Sequence, residues 1–212
     1  MKAVEQAFRD NFEEGREVGA ELCVFENGEE VLSLHAGFRD AARREPWEES
    51  TIVLVWSATK APASACALHA VHTAGLDLET PVADFWPGFA QAGKERVTIG
   101  HVMTHRAGLC ALDDPSANLL DRESVVRAIE RQCPQLPPGA GPAYSPRVFG
   151  FLLDEIVRRL SGGETLGQLW RRVFAEPLGL DFWIGLPEDR KSTRLNSSHA
   201  NISYAVFCLK KK

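Results

Sequence analysis

The sequence predicts an α+β domain in which a β-hairpin comes first and a run of helices follows. Three observations carry that prediction. Two apolar-rich runs, Glu21 to Phe25 and Glu30 to Gly37, flank Asn27-Gly28, a pair that favours a tight hairpin because both turn residues must accept positive φ. Arg122 to Gln132 and Phe149 to Leu160 place apolar residues at helical spacing, with Val125, Val126 and Ile129 on one face of the first. No second strand pair is legible before residue 190, so the hairpin belongs to an antiparallel sheet whose other strands the first 189 residues do not supply.

Taken in order, Met1 to Asn11 alternates apolar residues with Glu5, Gln6, Arg9 and Asp10. That is the pattern of an amphipathic surface helix and not of a secretory signal with a long apolar centre, which points to a cytoplasmic protein. After the hairpin, the polar stretch Arg39 to Ser50, broken by Pro46, leads into the apolar run Ile52 to Trp56, and Ser57 follows directly. Ala63 to Thr73 is a small, apolar helix stopped by Gly75, its alanines allowing close packing. Leu76 to Val82 reads as a turn into a short helix ending near Trp86-Pro87. Val97-Thr98-Ile99 introduces another short helix, Gly100 to Thr104, followed by the loop His105-Arg106-Ala107-Gly108-Leu109. Pro137-Pro138-Gly139 interrupts the chain between the two long amphipathic helices, Ser161-Gly162-Gly163 stops the second, and Leu166 to Phe174 is a last one. Sheet strands are therefore expected within residues 1–56 and a mainly helical lobe over 57–189.

Composition excludes several classes. With 44% hydrophobic and 25% charged residues the chain is an ordinary globular protein, and no run of about 18 apolar residues suggests a membrane span. The five cysteines (Cys23, Cys66, Cys110, Cys133 and Cys208) are scattered, odd in number and without a C-x-x-C pair, which fits reduced side chains and neither a disulfide framework nor a zinc site. Of the 24 Lys and Arg residues, six lie in residues 190–212, so residues 1–189 carry 18 against 29 acids, a net of −11. So acidic a body argues against a nucleic-acid partner.

One short pattern carries chemistry. Ser57-Ala58-Thr59-Lys60 is an S-x-x-K, weak as an isolated tetrapeptide but informative where an extended run enters a helix at the serine. A serine hydroxyl is a poor nucleophile until a base takes its proton. Three residues on, one helical turn later, the lysine amine lies beside that hydroxyl on the same face. At a helix start the serine N–H also points toward an incoming carbonyl oxygen, half of an oxyanion hole. Leu54, Val55 and Trp56 before the pattern, and Ala61, Ala63 and Ala65 after it, keep Lys60 off an open polar face. Tyr144, one of two tyrosines, follows the loop Pro137 to Pro142. By itself it reads as a loop tyrosine; beside a lysine, its phenol could shuttle a proton to a leaving group.

Jointly the motifs resemble a family. Val55-Trp56-Ser57-Ala58-Thr59-Lys60, Gly75-Leu76-Asp77-Leu78-Glu79-Thr80-Pro81-Val82, Val97 to Leu109, Pro138-Gly139, Tyr144-Ser145, Phe149 to Leu153 and Pro177-Leu178-Gly179-Leu180 occur in that order. Over roughly residues 3–189 the chain resembles the class C β-lactamase-like serine hydrolases, which include DD-peptidases and the family VIII carboxylesterases. The resemblance implies a β-lactamase/DD-peptidase-like α+β fold, an antiparallel sheet beside a helical lobe. It also implies acylation of Ser57, proton transfer by Lys60, and Tyr144 as the partner base. No metal or organic cofactor is implied. Trp56, the His-Arg-Ala-Gly-Leu loop and Asp181 to Pro187 look most like the esterase branch, so a small carboxylic ester is the expected substrate, with hydrolysis of a β-lactam or peptide, or a catalytically silent truncated fragment, as the alternatives.

Two departures bear on that expectation. The family's lactamases carry Tyr-x-Asn, whereas Tyr144-Ser145-Pro146 offers no amide side chain, which favours esters. The third motif, on a late strand, has no counterpart, so the chain is expected to be a C-terminally incomplete domain. From Lys191 the composition shifts to Ser, Thr, Asn and His, then the apolar Ile202 to Leu209 and three lysines. Residues 190–212 read as a non-native tail in which His199 and Cys208 are not metal ligands. His101 and His105 stand four apart but lack the intervening glutamate and third ligand of a zinc helix, so His105 is expected to be a hydrogen-bonded loop histidine. His69 and His72 read as packing or surface residues, and Gly139-Ala140-Gly141 lacks the lysine of a phosphate loop.

Overall fold

The computed structural model describes residues 1–187. The first helix, α1 (Lys2–Glu13), buries no residue fully and packs lightly, with Phe8 and Phe12 in ring contact at 5.3 Å. Strands β1 (Gly19–Glu26) and β2 (Glu29–Gly37) pair antiparallel, with Glu26 opposite Glu29. Their two-residue connection is the predicted one: Asn27 and Gly28 both take positive φ, +51° and +85°, as the right-handed strand twist requires. At the open end, Gly37 stands at φ +85°, where a Cβ would run into the Val18 carbonyl and the Phe12 ring. Beyond the hairpin, Asp40 fixes the loop by accepting the Arg44 and Glu45 N–H groups at 2.8 and 2.7 Å, which seats buried Trp47 near the strand ends.

Among the described residues the sheet has these two strands, and Val53–Val55 forms none. The apolar run instead buries Ile52 against Leu54 and Leu186, then bends sharply at Trp56. The expected tail, residues 190–212, lies outside the described residues.

Among the described residues, every regular element after Ser57 is a helix or helical turn, and these elements share one core. Helix α2 (Lys60–Thr73) starts with Pro62 in its first turn, where a missing N–H costs nothing, and ends at Gly75 with φ +70°. Its buried residues are Ala63, Cys66, Ala67, Ala70 and Val71, four of the five small. Side chains that small let α5 (Val148–Leu160) approach closely with Leu152, Leu153, Ile156 and Val157. Each of those four larger side chains contributes about 1.5–3 kcal/mol by leaving water. Short helical turns follow at Val82–Asp84 and Pro87–Gly93, then α3 (Ile99–Met103), capped by Thr98. In that cap the His101 N–H donates to Thr98 Oγ1, and His101 Nδ1 accepts the Thr98 N–H, both at 3.2 Å. That cap gives His101 a structural role.

Helix α4 (Arg122–Arg131) buries Val125, Val126 and Ile129, the face read from its periodicity. It is tied to α5 where Arg122 donates to Glu155 at 2.5 Å, and Glu155 also takes Arg159 at 2.7 Å. The last helix, α6 (Leu166–Trp170), runs into a wider turn over Arg171–Ala175. Its first N–H, from Leu166, donates to Asp154 on α5 at 2.9 Å. No helix among the described residues is long and apolar enough to cross a membrane.

Candidate active site

Ser57 stands where the bent run meets α2. Trp56, the residue before it, takes φ +46°, a left-handed conformation that a Cβ-bearing residue rarely adopts. The bend starts a tight turn over Trp56–Thr59 that continues into α2 at Lys60. One turn of helix then brings Lys60 Nζ to 3.1 Å from Ser57 Oγ, as the spacing predicts. Ser57 is exposed and Lys60 half-buried.

Tyr144 arrives from far along the chain. Its hydroxyl lies 2.5 Å from Ser57 Oγ, and the Lys60 ammonium sits 4.8 Å from its ring centre. The structure therefore brings all three residues singled out by sequence, 57, 60 and 144, into one cluster. The hydrogen bond from Ser57, then that from Lys60 and the Lys60 charge, hold the Tyr144 phenol below its ordinary pKa of 10. Each favours the phenolate over the phenol. Lys60 also donates to the Pro146 carbonyl at 3.1 Å. Pro146, notable in the sequence for the amide it lacks, thus contributes through its backbone.

The loop that carries Tyr144 is held by the one at 105–109. Gly139 N–H donates to the Arg106 carbonyl at 2.9 Å, Ala143 N–H to the His105 carbonyl at 2.8 Å, and the Arg106 guanidinium returns to the Gly139 carbonyl. Gly108, at φ +75°, lies against the Leu136 carbonyl so closely that a Cβ could not be added. Buried Ser145 accepts the Phe149 N–H at 3.2 Å, joining the loop to the first turn of α5. His105 is hydrogen-bonded as expected of it, and its partner is on the Tyr144 loop: its Nδ1 accepts the Ser145 N–H at 3.2 Å. The forty residues between them leave no local signal by which sequence could find that partner.

A cleft of about 630 Å³ opens beside Ser57. Leu54, Trp56, Phe149, Phe151, Leu166 and Ile184 make it mainly apolar, and Arg122, Asp154 and Arg158 stand on its wall. Arg158 pairs with Asp154 at 2.7 Å. A nucleophile, two proton-carrying groups and an apolar cleft are the parts acyl transfer needs.

The family model described as Beta-lactamase matches residues 4–204. The chain belongs to the β-lactamase family. It is 33% identical over 195 residues to the esterase/β-lactamase LipL of Mycobacterium tuberculosis, covering 91% of this chain and 45% of that protein. A solved family VIII carboxylesterase is 36% identical with a TM-score of 0.81, over 91% of this chain and 53% of its own. A penicillin-binding protein homologue from Caulobacter crescentus is 35% identical with a TM-score of 0.84, over 94% of this chain and 54% of its own. The fold is thus that of the β-lactamases and penicillin-binding proteins, and the chain spans about half the length of the relatives it matches.

Proposed function

We propose that this chain carries the nucleophile and proton-transfer groups of a serine hydrolase that cleaves small carboxylic esters through an acyl-enzyme on Ser57. The observation that supports the reading most is the triangle of Ser57, Lys60 and Tyr144, with Oγ 2.5 Å from the phenol and 3.1 Å from the amine. Tyr144 takes the Ser57 proton as Oγ attacks the ester carbonyl carbon. The tetrahedral oxyanion is met on one side by the Ser57 N–H at the helical turn. Collapse expels the alkoxide, which receives the proton back from Tyr144, and leaves the acyl ester on Ser57. Water then attacks that ester as Tyr144 again accepts a proton, and collapse frees the acid while Tyr144 returns the proton to Ser57 Oγ. Lys60 holds the phenolate charge throughout and ties Ser57 to the Pro146 carbonyl.

Two features favour esters: the apolar cleft, and a proline where a side-chain amide would hold a lactam or peptide carboxamide. The second reading is β-lactam or peptide hydrolysis, favoured by the relatives whose names include β-lactamase and penicillin-binding protein. The purified chain is incubated with a fluorophosphonate and its intact mass measured, beside Ser57→Ala and a circular dichroism spectrum. One adduct on the wild type and none on Ser57→Ala is expected. No adduct on a folded chain overturns the reading and leaves a catalytically silent domain. Turnover of short nitrophenyl esters without nitrocefin supports the ester assignment, and the reverse pattern replaces it with the second reading.

A further inference from the structure

The residue proposed to move the proton sits on a loop, and loops do not hold a phenol to a fraction of an ångström unaided. Tyr144 is flanked by two hydrogen bonds that both end on His105. The N–H of the residue before it donates to the His105 carbonyl at 2.8 Å, and that of the residue after it donates to His105 Nδ1 at 3.2 Å. The His105 ring lies 5.0 Å from the Tyr144 ring on one side and stacks on Phe149 at 4.4 Å on the other. His105 itself takes φ +59°, a conformation that persists in a non-glycine residue where the surroundings fix it. We infer that His105 is a positioning residue whose neutral imidazole holds the Ala143–Ser145 segment so that the Tyr144 phenol meets Ser57. The inference rests on the reading of Ser57, Lys60 and Tyr144 as an acyl-transfer centre.

Neutrality follows from the geometry. An Nδ1 that accepts an N–H carries no proton, so the ring hydrogen is on Nε2. Protonation would set an N–H against the Ser145 N–H and a second cation near Lys60. The titratable groups against the ring are Lys60 from α2 and Tyr144 from its own loop, while α5 presents the apolar Phe149. The adjacent Arg106 guanidinium is engaged with the Gly139 carbonyl. Burial first, and the Lys60 charge second, keep the His105 pKa below its ordinary 6.5.

The test uses the full chain, His105→Phe and His105→Asn. Phenylalanine keeps the ring stack without the acceptor. Asparagine tolerates positive φ, offers an acceptor oxygen and does not titrate. Fluorophosphonate labelling of Ser57 is timed against pH, and ¹⁵N NMR of the His105 ring reports its tautomer. His105→Phe is expected to label about 10- to 100-fold more slowly, the scale of loss that a misplaced catalytic group produces. His105→Asn is expected to recover much of that rate near neutral pH and to lose the acid limb that His105 titration imposes below pH 6.5. Wild-type rates in His105→Phe, or a proton on Nδ1 in the wild type, overturn the inference. Should His105→Phe fail to fold, the pH profile of His105→Asn decides, and an unchanged acid limb overturns it. A folded wild type that does not label overturns the reading of the centre and this inference together. A labelled wild type with indifferent variants overturns this inference alone.

Discussion

Tyr144→Phe separates chemistry from stability more cleanly than any other single change at this site. The substitution removes one hydroxyl and keeps the ring in place against His105. Tyr144 is 55% exposed, and among the described residues its hydroxyl bonds to Ser57 while the Lys60 ammonium stands 4.8 Å from its ring centre. Lys60 keeps its bonds to Ser57 and Pro146, so no buried group is orphaned. The folded state should therefore lose no more than about 0.5 kcal/mol, the usual range for a surface change. The proton path is a different matter. A positioned acid–base group is worth roughly 10²- to 10⁴-fold, or about 3–5 kcal/mol of barrier at 1.36 kcal/mol per tenfold. Urea unfolding followed by fluorescence gives the first quantity, and the rate of fluorophosphonate adduct formation gives the second. A labelling rate within about threefold of wild type would refute the role of the phenol, since an acid–base group is worth far more than that. A large loss of stability would refute the structural premise that the hydroxyl is held only at the site.

Other expectations follow from the same structure. Lys94 is fully buried and donates to the carbonyls of Gln91, Glu130 and Gln132 at 2.7, 2.9 and 2.6 Å, so Lys94→Met, which keeps the stem and orphans three acceptors, should cost about 3–5 kcal/mol in urea unfolding. Gly108→Ala forces a Cβ onto the Leu136 carbonyl at positive φ and should destabilise by several kcal/mol or about a whole domain's margin, with slower Ser57 labelling in whatever fraction folds. At position 56 the usual order should reverse: Trp56→Gly melts at or above Trp56→Ala, because φ +46° suits glycine, whereas elsewhere alanine leads by about 0.5–1 kcal/mol. The N–H groups of Glu45 first and Arg44 next hold the Asp40 carboxyl below its ordinary 3.8, so its contribution is complete above pH 3.8 and vanishes as pH falls through the folded-state value. Asp40→Asn should flatten that acid limb of stability, and an unchanged limb would count against the loop's dependence on the carboxylate.

How much of this was legible beforehand depends on the range of the interaction. The hairpin was readable because Asn27-Gly28 encodes its own turn, and α4 and α5 because their apolar residues repeat within a few positions. Ser57 and Lys60 were readable for the same reason, since three residues along a helix fix two side chains together. Tyr144 lies 87 residues from Ser57, and composition and spacing alone leave it an ordinary loop tyrosine; the family resemblance singled it out. Lys94 was not legible at all. In Gly93-Lys94-Glu95-Arg96 it looks like solvated surface, and only tertiary packing reveals that the end of α4 needs a donor there. The bend at Trp56 was equally hidden, because a tryptophan gives no sign of left-handed φ. The apolar run before it leaves strand and loop both open, and Val53–Val55 forms no strand.

The arrangement of donors around Lys60 bears on which group receives the Ser57 proton. An ammonium has three hydrogens to place. Two acceptors lie within hydrogen-bonding distance of this one, Ser57 Oγ and the Pro146 carbonyl, both at 3.1 Å, and its charge stands 4.8 Å from the centre of the Tyr144 ring. As an ammonium it carries no lone pair with which to accept the Ser57 proton. Oγ accepts from Lys60, so the serine's own hydrogen is free to lie along the 2.5 Å line to Tyr144. The phenol, held toward its anion by those same two neighbours, is then the acceptor within reach, and Lys60 serves as the fixed charge that keeps it so. On the proposed reading the lysine of the S-x-x-K therefore acts first as an electrostatic anchor. Direct deprotonation by Lys60 would require the ammonium first to give up a proton and become a neutral amine.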